Sequence, residues 1–128
     1  MTADPYAILA LAEAEQLDAL KGLGGEVSSA VETLIVADRS AALRLVGALS
    51  TYWQDVGEVE AGRALTERAL EGSAEAAVRK PEFAQAVPRA LVAASELAFR
   101  QGDQKAARKR AHDAIRAAVL IEDYVTAS

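Results

Sequence analysis

Two stretches decide how this chain folds: residues 57–72, GEVEAGRALTERALEG, and, 45 positions later, residues 102–117, GDQKAARKRAHDAIRA. Each opens on a glycine followed by an acid and then keeps small residues at the same offsets, Gly62 with Ala107 and Ala69 with Ala114. The correspondence extends on both sides, pairing Val46 with Leu91, Ser50 with Ser95 and Leu70 with Ile115. A glycine stops one helix, and small residues mark where two helices cross. The spelling is that of a helical hairpin used twice.

Composition supports an all-α chain. At 128 residues it has the size of one domain, taken as 1–128, able to bury a core without staples. Hydrophobic residues make up 52% and aromatics only 5%, and the excess lies in 30 alanines. Alanine loses the least side-chain entropy in a helix and lets helices approach closely. The absence of cysteine excludes disulfides, thiolate zinc sites and a cysteine nucleophile, and fits a reducing cytoplasm, the expected location. Glu13 and Glu15 interrupt the first apolar run, which lacks a basic leader, so it does not read as a signal peptide. No apolar run approaches the roughly 18 residues of a membrane span.

The net charge of -5 is unevenly spread: residues 1–40 carry two bases against seven acids, residues 81–128 seven bases against six acids. An acidic chain is a poor non-specific binder of nucleic acid.

Turn residues divide the chain into six helices at about 5–21, 26–37, 40–56, 58–72, 88–100 and 103–121. Asp4 before Pro5 reads as a helix cap, and Gly22, Gly24 and Gly25 end the first helix. The third helix carries Leu43, Val46, Leu49, Ser50 and Trp53 at the spacing of a buried stripe, and the fourth repeats it with Ala61, Leu65, Ala69 and Leu70. The fifth turns Leu91, Ala94, Ser95 and Ala98 inward. Pro81 and Pro88 make residues 73–87 a fraying helix end and a connection, and DYVTAS reads as a frayed tail. Short connections force antiparallel neighbours. Three hairpins result, at about 5–37, 40–72 and 88–121.

On Ser50, Trp53, Gly57-Glu58, Gly62, Ala69 and Leu70, and again on Ser95, Gly102-Asp103, Ala107, Ala114 and Ile115, the chain resembles a tetratricopeptide-type repeat. AALRLVGALSTYWQDVGEVEAGRALTERAL is similar to helical repeats behind the ATPase modules of large bacterial, especially actinobacterial, transcription regulators. Three features depart from the common pattern. Thr66 and Ala111 stand where an aromatic is usual, Ala98 stands at the place of Trp53, and the spacing exceeds the roughly 34 residues of standard repeats.

The resemblance implies a short right-handed solenoid of about six helices, a non-enzymatic interaction scaffold whose first helices line a groove for a protein or peptide partner. The implied groove residues are Arg44, Gly47, Thr51, Gln54 and Asp55, with Arg89, Val92, Glu96, Phe99 and Arg100. Phe99 reads either as a partner anchor, flanked by Arg89 and Arg100, or as core. The Lys and Asn pattern that clamps a terminal carboxylate is replaced by Gly47, Thr51, Val92 and Glu96, so chaperone-tail binding is not expected.

Other candidates have weaker chemistry. KAARKRAH, residues 105–112, places Lys105, Arg108 and Lys109 on one outward helix face, without interleaved aromatics and with acids alongside; it reads as a solvated face, with a nucleic-acid-binding regulator acting through 105–116 as the alternative. His112 and Asp113 are adjacent on a helix and diverge by about 100°. That rules against a shared proton, and one histidine without cysteine offers little to a metal. Neither a cofactor nor a metal site is expected. Trp53 reads as core. A pocket between the third and fifth helices would suit a small-molecule sensor, a third reading. The sixth helix leaves Ile115, Val119 and Leu120 uncovered, which points to a homodimer through the C-terminal helix or to a longer chain.

Overall fold

The structure, a computed structural model, describes residues 4–73 and 80–127, with side chains through residue 120. Every regular element among them is a helix: α1 (Pro5–Glu13), α2 (Leu17–Leu23), α3 (Glu26–Ala37), α4 (Arg39–Ala48), α5 (Ser50–Val56), α6 (Val59–Leu70), α7 (Pro81–Ala84), α8 (Ala86–Arg100) and α9 (Gln104–Ala127).

α1 starts as its sequence dictates, with Asp4 Oδ1 accepting from the Tyr6 N–H at 2.9 Å and Pro5 at the first helical position. The single helix expected over 5–21 is two helices. Glu15 takes a left-handed φ of 57° between them, so α1 packs on α3 and α4 while α2 reaches α5. The helix expected over 40–56 is likewise kinked at Leu49, whose N–H reaches back to the Val46 carbonyl at 3.2 Å. Gly47 and Ser50 flank the kink, the residue types that most readily loosen a helix. Gly47 also sits against α8, where a β-carbon would lie 3.2 Å from Arg89 Cβ.

The two hairpin turns are the same structure. Gly57 and Gly102 adopt φ of 76° and 80°, and the following N–H, of Glu58 or Asp103, returns 2.9 Å to the carbonyl of Trp53 or Ala98. Only a residue without a β-carbon enters this backbone region without strain. The 45-residue offset is therefore a repeat of geometry as well as of letters.

Successive helices pack in a chain of pairs. α1 lies on α3, both touch α4, α4 and α5 lie on α6, α8 lies across α4, α5 and α6, and α9 lies on α8. Trp53 is fully buried, packs on Gly62, and meets Tyr52 edge-on at 5.1 Å between ring centroids. Its indole N–H has no partner among the described residues, at a cost of about 1–3 kcal/mol. Thr66 is fully buried and satisfies its hydroxyl on the Gly62 carbonyl at 2.7 Å. Ser95 donates across the α8–α9 crossing to the Ala107 carbonyl at 2.7 Å.

Longer ties join helices within and between hairpins. Arg39 Nη1 donates to the carbonyls of Arg68, Ala69 and Glu71 at 3.1, 3.0 and 2.9 Å, closing the C-terminal end of α6. Arg63 reaches Asp103 at 2.9 Å, and Arg110 pairs with Glu67 and with Asp113.

Several expectations need correction. Ala61 is exposed, because the buried face of α6 is set by Gly62, Leu65, Thr66 and Ala69. α8 begins at Ala86, ahead of Pro88, since a proline in the first helical turn removes an N–H that has no intrahelical acceptor. Pro81 opens the short α7 within the supposed connection. Of residues 73–87, expected as a fraying helix end and a connection, 74–79 lie outside the described residues. The supposed tail is helical through Ala127. No described helix is long and apolar enough to cross a membrane.

Candidate functional site

The helices that begin each hairpin contribute to one side of the molecule, and a groove of about 900 Å³ runs along it. Ala12 and Glu13 come from α1, Arg44, Gly47 and Ala48 from α4, Ser50 and Thr51 from α5. The opposite wall is Pro81, Glu82 and Ala84 of α7 with Ala86, Arg89, Val92 and Glu96 of α8, and α9 closes the end with Ala114, Ile115 and Ala118. A second furrow of about 800 Å³ adjoins it at Glu96 and is lined by Gln54, Ser95, Phe99, Arg100, Gln104 and Ala107.

Six of the residues placed in the groove from sequence lie in the first depression: Arg44, Gly47, Thr51, Arg89, Val92 and Glu96. Gln54, Phe99 and Arg100 line the second, with Glu96 common to both. Asp55 lines neither. It pairs with Lys21 and ties α5 to α2, and this contact raises the Lys21 pKa. Phe99 is 65% exposed, which decides between anchor and core in favour of an open ring.

A polar chain links the two depressions. Arg100 Nε donates to Gln54 Oε1 at 2.6 Å, Gln54 Nε2 to Ser50 Oγ at 3.0 Å, and Ser50 Oγ to Glu96 Oε2 at 3.4 Å. These side chains are spoken for by one another and hold α5 against α8. Arg44 forks onto both oxygens of Glu13, at 3.0 and 2.5 Å, a contact that raises the guanidinium pKa. Arg89, by contrast, has no ion-pair partner among the described residues and is exposed beside Val92. The groove wall thus offers one open guanidinium and two open carboxylates, Glu15 and Glu82.

The basic run is partly neutralised within the fold. Lys109 pairs with Asp113 at 3.4 Å, and Arg110 is held by Glu67 and Asp113, whose carboxylates raise its pKa. Lys105, Arg108 and Arg116 are exposed. His112 is exposed as well, and the carboxylate beside it in sequence is taken by Lys109 and Arg110. No cluster of three metal-ligating side chains occurs among the described residues.

Glu13, Glu15, Glu82 and Gln85 were not legible as groove residues. The first two depend on the break in the first helix and the others on α7. Pro81, a residue suited to a first helical position, was the available signal for α7. Comparison of the chain with family models, curated proteins and solved structures finds no match.

Proposed function

We propose that this chain is a non-enzymatic interaction scaffold, a short right-handed stack of three tetratricopeptide-like hairpins whose groove takes a segment of another protein. The pairwise order of packing supports the stack: each hairpin rests on the next through both of its helices, as in repeat architectures where units touch only their neighbours. The observation that carries the binding role is the groove itself. About 900 Å³ of depression is lined by the first helices of successive hairpins, with Arg89 unpaired beside half-exposed Val92. An apolar side chain set beside an open guanidinium is what a partner side chain and a carboxylate or carbonyl can fill. Through the resemblance of residues 41–70 to regulator repeats, the partner belongs to a bacterial regulatory system.

Affinity capture with the wild type and with a Thr51→Arg/Val92→Glu variant tests this. Both positions are exposed, so the variant keeps the wild-type melting temperature. A partner retained by the wild type and lost by the variant is the expected result. Identical capture by both retires the groove.

A further inference from the structure

On α8, Arg89, Val92, Glu96 and Phe99 recur at steps of three and four residues, so they form one stripe along a single helix face, and all of them are exposed. Arg89, Val92 and Glu96 line the groove, and Glu96 and Phe99 line the furrow. The two depressions are therefore one track along this helix, about 15 Å from Arg89 to Phe99. That is the span of about five extended residues, a length suited to a peptide segment.

The furrow end of the track is cationic. Elsewhere in this acidic chain Arg44, Arg63, Arg68 and Arg110 each end on a carboxylate. Arg100 and Arg108, which line the furrow, do not. Arg100 uses its Nε on the neutral Gln54 amide oxygen at 2.6 Å, so its charge is not compensated there. Arg108 is exposed and has no side-chain partner among the described residues. The acid that lines the furrow, Glu96, accepts from Ser50 at 3.4 Å and forms no ion pair with either arginine. Beside them lies the open ring of Phe99.

Resting on the reading of the groove as a peptide site, we infer that the furrow takes an acidic and apolar part of the partner segment. A large apolar side chain lies on Phe99, and an aspartate or glutamate beside it meets Arg100 and Arg108. Such a sequence uses both features of the furrow, since apolar area is buried on the ring while the guanidiniums gain charge-assisted hydrogen bonds. A basic segment would leave the same guanidiniums repelled and unpaired. Nucleic acid fits less well, because its affinity grows with the number of phosphates neutralised. The next bases of α9 are already taken, Lys109 by Asp113 and Arg110 by Glu67 and Asp113. Two cations beside one ring match one or two carboxylates.

Panning a library of short random peptides displayed on phage against the wild-type chain, and then measuring a synthetic peptide of the enriched sequence on Phe99→Ser and Arg108→Glu, tests the inference. Both positions are exposed, so both variants melt as the wild type does. The expected enrichment is of Asp or Glu next to Phe, Leu or Trp. Affinity for the synthetic peptide should fall about tenfold or more on Phe99→Ser, and should fall on Arg108→Glu and with added salt. Enriched peptides without acids, peptides that bind Arg108→Glu as well as the wild type, or no enrichment at all each overturn the inference. So does a single-stranded oligonucleotide that the wild type retains and Arg108→Glu releases while no peptide is enriched. Peptides lost on Thr51→Arg/Val92→Glu but kept on both furrow variants remove the furrow and leave the groove; the reverse pattern retires the groove and leaves the furrow.

Discussion

Trp53 and Gly62 share a space that would hold neither with a larger neighbour: a β-carbon on residue 62 would fall under 3.0 Å from three atoms of the indole. At the same places in the second hairpin stand Ala98 and Ala107, both buried. One crossing is filled by a large residue on nothing, the other by two small ones. Gly62→Ala is therefore expected to cost about 1–3 kcal/mol by overpacking, although alanine is the better helix former. Trp53→Ala should cost about 3–5 kcal/mol through the cavity it leaves. The double variant, which copies the Ala98/Ala107 arrangement, should lose less than the sum of the two, as urea midpoints would show.

Arg39 ties the start of α4 to the end of α6, the two arms of one hairpin, through one guanidinium nitrogen shared among three carbonyls. Arg39→Ala exposes those acceptors and removes a cation from the negative end of a helix, with an expected loss of about 1–2 kcal/mol. Arg39→Lys, with a single ammonium able to reach fewer of them, should recover part of it. Chemical denaturation of the three proteins measures both.

Asp103 is held below its ordinary pKa of 3.8, first by the hydrogen bond from Arg63 and then by the Ala106 N–H. A carboxylate depressed in the folded state stabilises fully above its unfolded value and loses that contribution as pH falls below 3.8 through the depressed value. The stability curve should therefore descend more steeply below 3.8 in the wild type than in Asp103→Asn.

Tyr6 titrates at the other extreme. Its hydroxyl donates to Asp38 Oδ2 at 2.8 Å, which raises its pKa above 10.0. The contact stabilises the fold at any pH below 10.0 and is lost as pH climbs through the raised value. Tyr6→Phe should remove this alkaline component, measured as the difference in urea midpoint between neutral and strongly alkaline buffer.

Glu15 is the one described residue other than glycine with a positive φ, at 57°. Its side chain makes no described contact that would hold it there, and a left-handed conformation costs an L-residue about 1–2 kcal/mol. Glu15→Gly should raise stability by about 0.5–1 kcal/mol after the added freedom of the unfolded chain is counted. A rise in melting temperature with an unchanged helical signal is the check.

Much of this architecture is written in local sequence. Asp4-Pro5 starts α1, and the Gly-acid pairs at 57 and 102 produce the same turn twice, because capping and positive φ depend on residues within one turn of each other. The stripe from Leu43 to Trp53 is buried as its spacing requires. Local pattern reaches less far where two helices compete for a place. The bends at Glu15 and Leu49 keep the apolar spacing on either side intact, so periodicity alone cannot see them. Asp55 has the spacing of a groove residue and nevertheless faces Lys21, because α2 has been turned back to meet α5.

The sequence alone thus determined the helical state, the hairpin turns and the small residues at the crossings, since each follows from contacts between near neighbours in the chain. Only tertiary structure decided that Phe99 stays open, that Arg44 is engaged by Glu13 while Arg89 is free of a described partner, and that Ile115 lies bare where Leu70 is covered. Those outcomes depend on which helix lies across which. That is set by the summed packing of residues far apart in the chain, and no single segment carries it.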